Sequence, residues 1–217
     1  MKVLIVVLPD EHKQCGLNFA ITILQFQMAV LKRAAQELHV RFGESKDGAL
    51  DTFYEDPSFD RLIVVDAFLS FDPDLLLRMV DSGHDFTVGT YPAGDIDWAK
   101  VKTGSTERLQ FTGNSYNLGP HVGTEQDDWL PVEHAELGLF CITRAVVDKV
   151  VPRVHAHSAG HVWTNKGIMG PKGRLVSQDE SFCRVWEGPI HADLRHPVSR
   201  FGSMDFIGSV GQRRALR

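Results

Sequence analysis

The sequence predicts an α/β fold, with a mixed, mostly parallel central sheet and helices on both faces. Short β-branched runs alternate with longer segments of helical period, the rhythm of βαβ units. The runs are also continuously apolar, as in "KVLIVVL" and "RLIVV". Strands covered on both faces read this way, whereas half-exposed strands alternate.

The elements follow in order. "KVLIVVL" is the first strand, and Pro9 stands at its end. "LNFAITILQFQMAVLKRAAQEL" is a long helical pattern, apolar around much of its circumference, and "HVRF" a short second strand. "GALDTFYED" gives a turn or two of helix before the buried strand "RLIVV", which ends in Asp66. The next helix, "DPDLLLRMVDSG", has Asp72 as N-cap and Pro73 at its first position. "DFTVGTY" is a further strand. Residues 102–131 are rich in Gly, Thr, Asn, Pro and Asp and lack periodicity, the signature of a functional loop. Order returns with the strand "LGLFCIT" and the helix "RAVVDKVV". A second irregular stretch spans residues 152–174. "SQDESFCRVWEG" is a helix capped by Ser177 with Glu180 at the capping-box position, and "PIHADL" a last short strand. No repeat or domain boundary interrupts the chain, so residues 1–217 read as one domain.

Composition narrows the function classes. A net charge of -5 supplies no global basic field for nucleic acid or anionic membrane. Three widely spaced cysteines without a C-x-x-C fit a reducing, cytoplasmic setting rather than a disulfide scaffold or structural zinc. The apolar N-terminus is too short to span a bilayer, so no membrane insertion is expected. The dinucleotide G-x-G-x-x-G, the P-loop, the G-x-S-x-G elbow and H-E-x-x-H are all absent.

Three candidate features remain. Asp66 ends a core strand at the carboxyl edge of the sheet, where open α/β folds bind ligands; it could equally cap the next turn. "HAHSAGH" (His155, His157, His161) carries imidazoles that could ligate a metal, as a hydrolase would require, but no acidic partner is nearby. Asp179 and Glu180 lie in the first turn of a helix, where carboxylates complement the dipole.

The order of motifs adds a resemblance. "RLIVVDAFLSFDPDLLLRMVDSGHDFTVGTYPAGDIDWAKV" resembles the nucleotide-sugar-binding half of small bacterial and phage-type glycosyltransferases of the GT-A fold, a Rossmann-related architecture. In that pattern a strand leads into D-x-D and F-x-P, then a helix, a second strand, G-x-Y-P and D-W. Asp66, Phe71, Pro73, Asp85, Gly89, Tyr91, Pro92, Asp97 and Trp98 match it. "AELGLFCITRAVVDKV" is similar to the family's later strand and helix. In "LVSQDESFCRVWEGPIHADL", Ser177, Asp179, Phe182, Cys183 and Arg184 match its S-E-D-x-x-F-C-x-R block, and "RFGSMDFIG" is similar to its closing H-x-G segment. The likeness covers residues 1–100 and 132–208. It implies sugar transfer from a nucleotide-diphosphate sugar, with a donor half (1–101) and an acceptor half (102–217).

The resemblance also assigns expected roles. Pro9, Lys46, Asp66 and Arg200 are expected on the donor. Tyr91, Asp97, Trp98 and Gly138 are expected on the acceptor side. Asp179 and Arg200 are the catalytic candidates. The chain departs from the pattern at three positions: the glutamate of S-E-D is Gln178, the second aspartate of D-x-D is Phe68, and the late histidine is Arg200; the last two stand where the pattern has metal ligands. Neither Phe68 nor Arg200 can ligate a cation. The expectation is therefore that no metal is required and that Arg200 meets the diphosphate, with Asp66 the ligand if Mn2+ or Mg2+ takes part. The same departures fit a non-catalytic relative that binds a nucleotide sugar or a partner. The acceptor, whether a glycan or a modified DNA base, stays open.

Overall fold

The computed structural model describes residues 1–9, 17–33, 37–96, 114–155, 176–200 and 206–208. Seven strands form the main sheet: β1 (Lys2–Leu8), β2 (Glu37–Phe42), β3 (Arg61–Asp66), β5 (Phe86–Gly89), β8 (Trp129–Val132), β9 (Leu139–Thr143) and β10 (Ile190–Asp193). Their order across the sheet is β2-β1-β3-β9-β5-β10-β8. β1 runs parallel to β2 and β3, and β5 parallel to β10. β9 runs antiparallel between β3 and β5, and β8 antiparallel on β10. A small sheet comprises β4 (Leu69–Phe71), β11 (Val198–Arg200) and β12 (Phe206–Gly208), and β6 (Pro92–Ile96) pairs with β7 (Asn114–Tyr116).

The continuous apolar runs are explained by cover on both faces. On one face, α2 (Lys46–Glu55), α4 (Arg144–His155) and α5 (Gln178–Trp186) enclose Leu4, Val6, Leu62, Val64, Phe86 and Phe140. On the other, α1 (Leu17–Leu31) and α3 (Pro73–Asp81) cover Val3, Ile5, Val7, Ile63 and Val65. Each such aliphatic side chain stabilises the fold by about 1.5–3 kcal/mol on burial. Removing the fully buried Phe26 ring of α1 would cost about 3–5 kcal/mol.

The caps are as the sequence predicts. Asp72 accepts from the Asp74 amide at 2.9 Å with Pro73 at the first turn, and Ser177 accepts from the Glu180 amide at 3.1 Å. Three expectations need correction. The first helix ends at Leu31, not Leu38, and β2 already starts at Glu37 because its backbone pairs with β1 from Lys2 onward. Residues 102–131 also contain β7, paired with β6, and most of β8, which pairs with β10 and bridges back to His121 and Gln126. The stretch 152–174, expected to be irregular, begins as helix, because α4 continues through residue 152 to His155; residues 156–174 lie outside the described residues. His157 and His161 lie outside the described residues. Among the described residues, no helix is long and apolar enough to cross a membrane.

Candidate functional site

The carboxyl ends of the parallel strands β1, β2 and β3 converge on one edge. Leu8 is in register with Asp66, and the Ala67 amide bonds the Leu8 carbonyl at 2.9 Å, so Pro9 follows beside the strand-tip acid. β2 ends next to them, since the Gly43 amide bonds the Val7 carbonyl at 3.0 Å. Two residues later Ser45 caps α2, accepting from the Gly48 amide at 3.1 Å, which makes Lys46 the first helical residue. β9 runs the opposite way, so its beginning reaches the same edge: the Asp66 amide donates to the Gly138 carbonyl at 2.8 Å.

Lys46 and Asp179, 133 residues apart, meet here. The Lys46 Nζ lies 3.0 Å from both Asp179 carboxylate oxygens, with each side chain about one-fifth exposed. Asp179 Oδ2 also accepts from the Leu137 amide at 2.9 Å. Two N–H donors and the positive end of α5 therefore hold the carboxylate in place. Its neighbour Glu180 turns elsewhere: it is buried and accepts from Arg184 Nη2 at 2.9 Å.

Asp66 has a different environment. Burial raises its pKa to about 6; Lys46 opposes the rise, Asp179 adds to it and Arg200 opposes it. A carboxyl group raised to about 6 can both accept and donate a hydrogen bond in mildly acidic solution. Next to it, Gly138 leaves no room for a side chain. A Cβ there would come within 2.6 Å of Tyr91 Oη and 2.7 Å of Asp66 Oδ2.

Tyr91, expected on the acceptor side, is only 3% exposed. Its hydroxyl accepts from the Gly138 amide at 2.8 Å and donates to the Glu136 carbonyl at 3.1 Å. Burial and the nearby Asp66 carboxylate raise its pKa well above the ordinary phenol value. Its geometry is that of a fastener behind the wall of the site, because both hydroxyl functions are spent on backbone. Asn117 completes this fastening. Buried at 3% exposure, it accepts from the Tyr91 amide at 2.9 Å and donates to the carbonyls of Gly89 (3.0 Å) and Glu136 (3.2 Å). Sequence reasoning passes over Asn117, which lies in the aperiodic stretch and carries no local signal. Asp97 and Trp98 lie outside the described residues.

Arg200 and Phe68, the two departures at metal-ligand positions of the resembled pattern, touch. β11 pairs antiparallel with β4, setting Arg200 opposite Leu69, one residue past Phe68. The guanidinium carbon stands 5.0 Å from the centroid of the Phe68 ring, within cation–π range. Arg200 Nη1 donates to the Ala93 carbonyl at 2.7 Å. The ring thus supports the cation and a backbone carbonyl fixes its rotation.

Mg2+ and Mn2+ take oxygen ligands in number; two carboxylates, Asp66 and Asp179, reach this edge, Asp179 is already held by the Lys46 ammonium, and Phe68 and Arg200 offer no ligand. Among the described residues, no three His, Cys, Asp or Glu side chains are grouped to hold a metal.

No protein-family model matches the sequence, and no curated protein matches it either. Solved structures do. The chain is similar to A197 from STIV at TM-score 0.52 and 16% identity, covering 94% of this chain and 87% of that one. It also matches mannose-1-phosphate geranyltransferase from Thermus thermophilus (TM-score 0.42, 10% identity, 91% and 76% covered). A third match is the inositol-1-phosphate CTP transferase from T. maritima (TM-score 0.40, 11% identity, 93% and 89% covered). The likeness to A197 is one of fold, a mixed α/β architecture in agreement with the class the sequence predicts.

Proposed function

We propose that the protein is a transferase that moves a sugar from a nucleotide-diphosphate sugar to an acceptor hydroxyl without a metal ion. The observation that carries this reading is the Arg200 guanidinium seated on the Phe68 ring at the edge lined by Asp66. The two side chains that depart from the metal-binding pattern make one unit, and that unit is a positioned cation. A guanidinium can meet two phosphate oxygens at once, and among the described residues the bond to Ala93 occupies one of its five N–H groups.

The Lys46–Asp179 pair gives a sequence of events. An incoming diphosphate competes with Asp179 for the Lys46 ammonium. Once Lys46 turns to phosphate, the Asp179 carboxylate gives up its ion-pair partner and is free to accept a proton. In an inverting reaction it then takes the proton of the acceptor hydroxyl as that oxygen bonds to the anomeric carbon. The bond from that carbon to the diphosphate oxygen breaks, and its electron pair goes to the phosphate, where Arg200 and Lys46 stabilise the charge. Asp66, with Pro9 beside it, faces the nucleoside end of the donor. Tyr91, Gly138 and Asn117 position the wall.

Turnover of UDP, GDP, TDP and CMP sugars in excess EDTA tests the proposal. Retained turnover that falls at least about a hundredfold in Arg200→Ala is expected; turnover abolished by EDTA and restored by manganese refutes it. A second reading, a non-catalytic nucleotide-sugar binder, is favoured by the engagement of both Asp179 oxygens with Lys46. Asp179→Asn separates the two: a transferase loses turnover and keeps donor-induced thermal stabilisation, whereas a binder has no turnover to lose.

A further inference from the structure

We propose that α1 is a self-association face through which two copies of this chain dock, helix against helix. The helix "LNFAITILQFQMAVL" contains no charged residue. One side of it is spent on its own core: Phe19, Ile23, Phe26 and Val30 are buried in the cluster beneath it. The opposite side carries Leu17, Ile21, Leu24, Met28 and Leu31, which are 43% to 76% exposed. Their spacing is 4-3-4-3. At about 100° per residue they fall in an arc of about 80°, across the helix from the buried set. Single exposed aliphatic residues are ordinary, but five in one unbroken stripe are not.

The spacing selects the occupant. A 4-3 repeat is the seam by which one helix packs along another, with side chains from each filling gaps in the other. A two-fold pair needs a surface complementary to itself, and this stripe meets that requirement because identical apolar residues face each other. Gln25 and Gln27 on the flanks are neutral; the nearest charges, Lys32 and Arg33, lie past the end of the helix, and Arg33 is paired with Asp81. A helix that lies on a membrane carries Lys or Arg on its polar face; α1 has neither, and its other face is already packed. The five side chains present on the order of 400–500 Å2 of apolar surface per copy, so a pair hides at most roughly 800–1,000 Å2 in all, the range of a weak, reversible interface near the threshold of about 1,000 Å2.

Sedimentation equilibrium of the full chain up to about 100 µM tests the proposal, a range that resolves dissociation constants weaker than micromolar. The wild type is expected to dimerise. Leu24→Glu and Met28→Glu, both at exposed positions, are expected to raise the dissociation constant at least about tenfold with an unchanged circular dichroism spectrum. Leu24→Cys in a Cys15→Ser background is expected to cross-link across the two-fold axis in either orientation of the pair, since residue 24 is the midpoint of the helix. A wild type that stays monomeric overturns the proposal, whether it floats with lipid vesicles or not. So does a dimer that survives both Glu substitutions, or a monomer in which the thiol introduced at position 24 is shielded from maleimide by the chain itself.

Discussion

Replacing Asp66 by Asn should stabilise the protein at high pH and leave it almost unchanged at low pH. The folded state raises this carboxyl from 3.8 to about 6, with burial the main cause. The rise of about two pH units, at about 1.4 kcal/mol each, corresponds to roughly 3 kcal/mol. Its sign follows from proton binding. Between about pH 4 and 6 the folded chain holds a proton that the unfolded chain releases, so stability falls as pH rises through that window. Above it the full penalty applies; below it both states are protonated and the penalty disappears. Asparagine keeps the shape and cannot ionise. Urea unfolding should therefore show Asp66→Asn about 2–3 kcal/mol more stable than wild type at pH 8, equivalent to roughly 5–10 °C in Tm for a chain of this size. At about pH 4 the two should agree within about 0.5 kcal/mol. A gap equal at both pH values, or a variant less stable at pH 8, would refute the reasoning. A chain that tolerates such a penalty in its resting state fits a group kept for binding rather than for folding.

Other substitutions probe the remaining contacts. Gly138→Ala drives a methyl group against Tyr91 Oη and Asp66 Oδ2 and should cost about 1–3 kcal/mol in urea unfolding, with donor binding weakened in parallel. Asn117→Ala removes a buried amide and its bonds to Tyr91, Gly89 and Glu136; a loss of about 3 kcal/mol is expected, and a loss below about 1 kcal/mol would mean that water replaces it. Lys46→Met leaves the Asp179 carboxylate without its cation, so stability should fall by about 1–3 kcal/mol at pH 7 and donor-induced thermal shifts should vanish. Arg200→Lys keeps the charge but loses the planar fork; turnover in EDTA should drop at least about tenfold while the unfolding midpoint moves little.

Much of the framework can be read directly from residues. β1, β3 and β9 announce themselves as continuous apolar runs because both faces are covered, and Asp72 and Ser177 mark helix starts because capping is a local event. What escapes is non-local. β8 owes its existence to pairing with β10, far along the chain, and its own sequence has no strand period. β2, a half-exposed edge strand, has too weak a pattern to stop the helical reading at Leu31. In the site, Asp66, Lys46 and Asp179 are legible as separate candidates, but no spacing rule joins position 46 to position 179. Phe68 reads only as a missing ligand. Its place against Arg200 depends on the pairing of β4 with β11.

The place of β9 in the sheet has a consequence for synthesis. The strand wedges between β3 and β5, yet it follows both in the chain. Until residue 143 has left the ribosome, β3 and β5 each show a bare backbone edge with no neighbour to bond. A nascent chain stalled before that point is exposed to promiscuous strand addition, the hazard that mature sheets suppress. The edge that gathers Asp66 with Gly138 and then Asp179 can be assembled only late, so a prematurely terminated product should precipitate rather than compete for ligand.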